Sequence, residues 1–377
     1  MVCLRNKLRF KIISQTLLGV FIFLFYCEYL VFYVVQMHCS WPKLDPIKKE
    51  PFIDNTEDPV KIMVLADTHL LGSKNGHWFD KLRREWQMHR AFQTAITLHA
   101  PEIVFFLGDL TDEGSFCSDE EFNYYVNRFY SLFSTRVPET IRIYVLVGNH
   151  DIGFHYAVNP HLTQRFVDGF NSPSVQLLTV RGNHFVLINS IALEGDGCSL
   201  CKSAERQIAE ISQLLRCTRN SSLSNCDQKM KLATYSRPIL MQHYPLYRES
   251  DIECDDFDAA PWSIKQERFR ERWECLSRDA TYELLTQIKP RLVLSGHTHH
   301  GCTRNLSVGK GVEITMPSFS WRNKNNPNYG LGVFAADNYA FLKCDMPRED
   351  SVINLYILGG TLLLIWFTYL LYQSFRV

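Results

Sequence analysis

The sequence predicts an α/β protein: a four-layer α/β/β/α sandwich flanked by two transmembrane helices. Three observations carry this expectation. Between about residues 60 and 345, apolar runs of strand length alternate with segments of helical period, and further strands follow. Short polar fragments follow these apolar runs, where open α/β sheets place ligand-binding residues at the C-terminal ends of their strands. Near each end of the chain lies an apolar stretch of about 20 residues, the length a helix needs to cross hydrocarbon.

The elements follow in chain order. Residues 1–14 contain Arg5, Lys7, Arg9 and Lys11 and no acidic residue, so the positive-inside rule keeps this segment in the cytosol. Residues 15–35 read as the first span. The length of the apolar run, and the bulky Gln36, Met37, His38 and Cys39 after it, argue against a cleaved signal peptide. Glu28 lies inside this span, where a carboxylate is costly, so it either faces the second helix or snorkels. Residues 36–59, rich in proline and charge, read as a linker. The domain proper runs over 60–346. Buried strands are predicted at 61–66, 103–107, 141–147, 185–189, 238–242 and 291–295, and helices at 81–98, 119–133, 204–216 and 279–288. Late strands are predicted at 312–317, 330–335 and 340–344. The charged, irregular stretch 248–275 reads as a long loop near the site, because it closely follows His243. Residues 352–372 read as the second span, which returns the tail 373–377 to the cytosol and leaves the domain on the lumenal side. The sequons Asn220-Ser221-Ser222 and Asn305-Leu306-Ser307 agree with lumenal exposure.

Composition narrows the class. The 377 residues fit one large domain or two small ones. Lysine plus arginine number 40 and aspartate plus glutamate number 40, so the chain has no electrostatic footprint for nucleic acid. Twelve cysteines are many for a cytosolic enzyme, and only Cys198 and Cys201 have the C-x2-C spacing. Disulfides in an oxidising compartment are therefore expected rather than structural zinc.

The polar fragments are Asp67-Thr68-His69, Gly108-Asp109-Leu110-Thr111-Asp112, Gly148-Asn149-His150-Asp151, Gln242-His243 and Gly296-His297-Thr298-His299. Aspartate, histidine and asparagine without cysteine suit hard or borderline divalent ions. Asp67 and His69 would point the same way from an extended segment and so reach one ion. Asp109, after a glycine that permits a tight turn, offers two oxygens able to bridge two ions. Asn149 is a neutral ligand, useful where further negative charge would repel a phosphate, and it leaves His150 free to act on substrate. Taken singly, Asp109 and Asn149 also read as helix caps and each histidine as a satisfied core residue. Several fragments at successive strand ends outweigh those readings. Two ions about 4 Å apart would activate water and neutralise phosphoryl oxygens in a phosphoester hydrolase.

The set D-x-H, G-D-x-x-D, G-N-H-D, H-x-P at His243-Tyr244-Pro245, and G-H-T-H resembles the calcineurin-like metallophosphoesterase superfamily over roughly 60–345. The resemblance implies a bimetal site within an α/β/β/α sandwich. Asp67, His69, Asp109 and His299 would hold the first ion. Asp109, Asn149, His243 and His297 would hold the second, with Asp109 bridging. It further implies His150 as the catalytic histidine, Asp112 as the carboxylate that orients it, and two divalent ions, manganese foremost, with zinc or iron as alternatives. Protein phosphatases of the superfamily carry arginine after the second motif's aspartate, where this chain has Glu113-Gly114. The two spans around the domain are most similar to the branch that remodels GPI anchors. That branch implies a membrane-embedded phosphodiesterase removing ethanolamine phosphate from the second mannose of the GPI glycan. The substrate partners are then GPI-anchored proteins, whose export from the endoplasmic reticulum to the Golgi it promotes. The implied home is ER exit sites, the ER–Golgi intermediate compartment and the cis-Golgi, although the tail lacks a dilysine signal. The alternatives are a phosphatase or nucleotide phosphodiesterase acting on soluble lumenal substrates, and a non-catalytic membrane cargo adaptor.

Overall fold

Strand β1 (Val60–Leu65) is buried on both faces from Ile62 onward, which explains the unbroken apolar run that follows Lys61. Its residues divide between two cores. Ile62, Val64 and the following Ala66 join Phe105, Leu107, Phe185, Leu187, Met241 and Leu294 in an apolar layer. Met63 and Leu65 turn the other way, with Val104 and Phe106, to meet Met88, Phe92, Phe122 and Phe129 of the covering helices. Phe106 there packs at 4.9 Å from Phe129 and 4.8 Å from Phe133, measured between ring centres. Removing such a buried ring typically costs about 3–5 kcal/mol.

The computed structural model describes residues 2–50, 57–135, 141–193, 196–220, 226 and 231–376. The remaining strands are β2 (Ile103–Phe106), β3 (Arg142–Val145), β4 (Val175–Val180), β5 (Asn183–Ile188), β6 (Ile239–Met241), β7 (Leu292–Ser295), β8 (Cys302–Asn305), β9 (Val312–Thr315), β10 (Asn328–Ala335) and β11 (Asn338–Asp345). One sheet has the order β11-β10-β1-β2-β3 and the other β4-β5-β6-β7-β9-β8. β1, β2 and β3 are parallel, as are β5, β6, β7 and β9, while β10, β11, β4 and β8 run antiparallel to their neighbours. The apolar layer of β1, β2, β5, β6 and β7 joins the two sheets, and helices Trp78–His99, Asp119–Leu132, Ser199–Arg219 and Arg278–Ile288 lie outside. The predicted four-layer sandwich is the observed fold.

Among the strands and the helices of more than one turn, three elements were not anticipated. β4 forms a hairpin with β5 through Arg181 and Gly182, both at positive φ (45° and 71°), as a two-residue hairpin turn requires. β8 is a short edge strand whose exposed Thr303 and Asn305 break any apolar run. Helix Pro160–Phe170 starts at an Asn159 cap followed by proline at its first position. Helices 81–98 and 204–216 begin earlier than expected, at Trp78 and Ser199, and the strand at 141–147 is confined to β3 because the chain then turns into Gly148.

The helical stretches Phe10–Gln36 and Glu349–Leu370 are each long and apolar enough to cross a membrane. The first includes a π-helical turn over Tyr26–Leu30. The two helices touch along their length. The indole N–H of Trp366 donates to Thr16 Oγ1 at 2.8 Å, and Phe23 meets Tyr356 edge-on at 6.0 Å. The Tyr356 hydroxyl donates to the Glu28 carboxylate, so Glu28 faces the second helix rather than snorkelling. The side chains of Arg5, Lys7 and Arg9 lie outside those described.

Among the described residues four disulfides form: Cys39–Cys344, Cys198–Cys201, Cys217–Cys226 and Cys254–Cys302. The first ties the segment after the first span to β11. The C-x2-C pair closes on itself. Asn220 and Asn305 are exposed, while Ser221 and Ser222 of the first sequon lie outside the described residues.

Candidate metal centre

The strand ends bring the polar fragments to one place. β1 leads into Asp67 and His69, β2 into Asp109, β3 into Asn149, β6 into His243, and β7 into His297 and His299. The two sheets are stitched together there. The backbone N–H of His297 donates to the Asp67 carboxylate at 3.0 and 3.1 Å, and His243 Nδ1 donates to the Leu107 carbonyl at 2.8 Å.

The backbone departs from the extended form expected at Asp67 and His69. Asp67, His69, Asp109, His297 and His299 all have positive φ, from 44° to 74°. Left-handed backbone in such residues costs on the order of 1–3 kcal/mol each and persists where its surroundings impose it. Here the imposing contacts are backbone hydrogen bonds from Asp67 to Gly108 (3.2 Å), His69 to Asp109 (3.0 Å) and Leu70 to Leu110 (2.9 Å). Sharp turns at the strand end, not strand alternation, therefore aim Asp67 and His69 at a common centre. Two glycines make room. A Cβ on Gly108 would lie 2.7 Å from His243 Nδ1, and one on Gly148 would lie 2.2 Å from Asp109 Oδ1.

Two overlapping groups result. Ligand atoms of Asp67, His69, Asp109 and His299 lie within 4.8 Å of one another, as do those of Asp109, His243 and His297. Asp109 is common to both, with Oδ2 at 3.5 Å from His69 Nε2 and 3.3 Å from His243 Nε2. Asn149 Oδ1 is 3.1 Å from His243 Nε2, which adds the amide to the second group.

The fit to divalent ions is visible in the hydrogen bonds on the far side of each ring. His69 Nδ1 donates to Asp112 Oδ1 at 3.2 Å, His243 Nδ1 to Leu107, and His297 Nε2 to the Trp273 carbonyl at 2.6 Å. When the ring is neutral, each bond leaves the opposite nitrogen to present its lone pair inward, as the outer partners of metal-binding histidines do. His297 Nδ1 is buried and without a hydrogen-bond partner in the protein. His69 Nε2 lies 3.1 Å from His299 Nε2. Buried lone pairs converging without donors are unfavourable, and cations satisfy them. Carboxylate, amide and imidazole donors together suit manganese, zinc or iron.

Charge in the cluster is strongly shaped by burial. Burial pushes the Asp67 carboxyl up to about 7, opposed by the nearby His243. Burial also works against charge on Asp109, but the His243 and His150 imidazoles hold its carboxyl well below the usual range. His243 in turn is raised to about 9, as the Asp109 carboxylate outweighs burial. Burial and the neighbouring His243 lower His297 to about 3. The protein alone thus balances Asp109 with a protonated His243, a task that bound cations take over.

His150 stands apart from both groups. Its backbone N–H donates to Asp109 Oδ1 at 2.8 Å, and its Nδ1 donates to the backbone carbonyl of Asp112 at 3.2 Å. The Asp112 carboxylate is 3.8 Å from that nitrogen and instead receives His69. Burial resists protonation of His150, but the Asp109 carboxylate and the Asp112 carbonyl outweigh it and raise its pKa. Asp151 is a joint between fragments, accepting from the backbone N–H groups of Gly148 (2.9 Å), Leu110 (3.2 Å) and Thr111 (3.0 Å). Glu113, where related phosphatases carry arginine, accepts from the Lys74 backbone N–H at 3.0 Å and from the Tyr125 hydroxyl at 3.3 Å.

Arg322 had no signal in the sequence, whereas Trp273 was legible as an aromatic residue of the loop expected near the site. Arg322, in the segment after β9, brings its Nη2 to 3.7 Å from Asp112 Oδ2. Trp273, from the loop 248–275, supplies the carbonyl on His297 and packs its ring 4.7 Å from Phe154 and 5.2 Å from Tyr156. The Arg270 guanidinium lies 4.7 Å from the centre of the Trp273 ring.

The calcineurin-like phosphoesterase family model matches residues 60–301, which hold β1 to β7 and every polar fragment above. The chain belongs to the calcineurin-like phosphoesterase family and is a metal-dependent phosphoesterase, with the dinuclear divalent-metal site that this family implies. Individual relatives extend the likeness beyond the domain. The chain is 46% identical to Metallophosphoesterase 1 of Gallus gallus over 348 residues, which cover 91% of this chain and 86% of that one. It is 46% identical to Metallophosphoesterase 1 of Xenopus laevis over 369 residues, covering 95% and 89% respectively. For the Rattus norvegicus protein of the same name the identity is 44% over 365 residues, covering 96% and 90%. Among solved structures, purple acid phosphatase PPD1 from yellow lupin aligns with a TM-score of 0.45 at 10% identity, over 79% of this chain and 55% of its own.

Proposed function

We propose that this phosphoesterase removes ethanolamine phosphate from the second mannose of GPI anchors at early secretory membranes, promoting export of GPI-anchored proteins toward the Golgi. The observation that carries this reading is the direct attachment of the metal centre to the two apolar helices. Trp321 packs 6.4 Å from Phe32 of the first helix, and the next residue, Arg322, reaches Asp112 beside the metal-binding histidines. A site held this close to the bilayer favours a lipid-linked phosphodiester over a soluble one. The domain is lumenal in this reading and both termini are cytosolic, in keeping with four disulfides and two exposed sequon asparagines. The likeness to the proteins called Metallophosphoesterase 1 over nearly the whole chain supports the phosphoesterase part of this reading.

Asp67, His69, Asp109 and His299 would hold one ion, and Asp109, Asn149, His243 and His297 the other. Two ions there, manganese foremost, supply Lewis acidity at the phosphoryl group and acidify water at neutral pH. The protein's own groups do the rest. His150, with its Nδ1 proton committed to the Asp112 carbonyl and its pKa raised, carries the Nε2 proton that the departing mannose oxygen needs. Arg322 offers a guanidinium to the non-bridging phosphoryl oxygens. Phe154, Tyr156 and Trp273, beside His297, form an aromatic surface suited to the apolar faces of sugar rings. The complete set of candidate ligands speaks against a non-catalytic adaptor.

The test is mass spectrometry of GPI glycans from cells lacking the chain. Retained ethanolamine phosphate, removed again by the restored wild type and not by Asp67→Ala, is the expected result. Knockout glycans that already lack the group would end the GPI reading, leave the phosphoesterase intact, and favour a soluble lumenal ester.

A further inference from the structure

A cavity of about 700 Å³ lies where the two apolar helices meet the domain. Its walls come from four sources. Phe32 belongs to the domain end of the first helix, and Tyr356 and Ile357 to the domain end of the second. Leu82 and Trp86 come from the start of helix Trp78–His99, and Trp321 from the segment after β9. The lining is apolar except for Glu28, which is occupied by the Tyr356 hydroxyl, and Arg83.

The same stretch of helix carries an exposed apolar face. Trp78, Phe79, Leu82 and Trp86 are 67%, 52%, 60% and 43% exposed, an expanse that soluble surfaces avoid. Aromatic residues beside the ends of spanning helices mark the interfacial layer of a bilayer. The exposed face and the cavity therefore share one solvent, the lipid leaflet against the domain. Arg83 lies at the cavity wall with its guanidinium 5.4 Å from the Trp321 ring. It shares Glu349 with Arg84, at 3.5 and 3.2 Å, so most of its five donors remain available.

We propose that this cavity is a binding site for a glycerophospholipid of the surrounding bilayer, with an acyl chain between the two spans and helix Trp78–His99 and the phosphate at Arg83. The site depends on the two helices being membrane spans, and it goes beyond the proposed substrate. Its position gives it a consequence for catalysis. Trp321 forms part of its wall, with the indole N–H fixed on the Pro347 carbonyl at 2.9 Å. The same segment supports the metal centre: Ser318 Oγ donates to the Asp67 carbonyl at 2.8 Å, and Arg322 faces Asp112. One five-residue segment thus has lipid on one side and the metal centre on the other. Gln87 clamps it, donating to the Phe319 carbonyl at 3.2 Å and accepting from the Trp321 N–H at 3.1 Å.

The test uses the full chain in phosphatidylcholine nanodiscs containing phosphatidylcholine with a diazirine in one acyl chain, followed by peptide mapping after irradiation. Adducts are expected on the peptide holding Leu82 and Trp86 and on residues 353–357. Leu82→Trp, at an exposed position that folds without repacking a core, should reduce the label on 353–357 several-fold. Leu364→Trp, equally exposed but remote from the cavity on the same span, should leave it unchanged. Labelling confined to the outward residues Leu17, Phe21 and Leu364, or insensitive to Leu82→Trp, would overturn the site. So would displacement of the label by a GPI-type glycolipid but not by added unlabelled phosphatidylcholine, which would assign the cavity to the substrate's own tail. The readout needs neither metal nor hydrolysis, and the same labelling in chelator is expected. Failure here and failure of the phosphodiesterase reading are therefore separate results.

Discussion

Asp112→Asn separates two roles that one residue can play at this centre. The carboxylate receives His69 Nδ1 at 3.2 Å, while the backbone carbonyl receives His150 Nδ1 at the same distance. The substitution keeps the backbone contact and the shape of the side chain and removes only the charge. A hydrogen bond to an ionised acceptor contributes about 1.5–3 kcal/mol and one to a neutral acceptor about 0.5–1.5 kcal/mol, so His69 loses about 1–1.5 kcal/mol of support for its ligand nitrogen. That equals about a tenfold weaker hold on the ion, at the lower end of the roughly 10–100-fold seen when outer partners of metal-binding histidines are altered. Hydrolysis of an aryl phosphodiester should therefore require about tenfold more Mn2+ for half-maximal rate, and kcat should recover at saturating metal. If kcat instead stayed about 10²–10⁴-fold low at saturating metal, with the metal requirement unchanged, the carboxylate would be acting on the proton-transferring His150. The division of labour described here would then be wrong.

Further outcomes follow from the same geometry. Asp109→Ala removes the one carboxylate common to both ligand groups, so activity should vanish and elemental analysis should find fewer than two ions per chain; two retained ions would refute the bridging assignment. His150→Ala should keep its full metal content and turn over about 10²–10⁴-fold more slowly, since it loses a proton donor and not a ligand; a parallel loss of metal would make His150 a ligand. Protease added to sealed microsomes should spare residues 60–346, and digestion of that region without detergent would reverse the proposed topology.

The buried strands were legible because two-sided burial leaves an unbroken apolar run. Ile62 and Val64 serve one core and Met63 and Leu65 another, so nothing polar interrupts β1 after Lys61. The edge strand β8 was not legible, since exposed Thr303 and Asn305 make it look like loop. β4 left a trace, Arg181-Gly182 between two apolar runs, that a hairpin reading would have caught. Among the site residues, chemistry and order along the chain were enough to single out Asp67, His69, Asp109, Asn149, His243, His297 and His299 as a set. Their donor types and strand-end positions are properties of the sequence itself. How they converge is not. The left-handed turns at Asp67 and His69 depend on hydrogen bonds to Gly108 and Asp109, some forty residues away in the chain. The carbonyl that fixes His297 comes from Trp273, the guanidinium beside Asp112 comes from Arg322, and the partner of Glu28 is Tyr356 at the other end of the molecule. Backbone carbonyls carry no side-chain identity, and contacts between distant segments leave no local period. The sequence by itself therefore determined the layers, the two apolar helices and the ligand types, whereas only the tertiary structure decided which nitrogen of each histidine faces the centre, which carboxylate supports which histidine, and that the metal centre stands one segment away from a cavity where the apolar helices meet the domain.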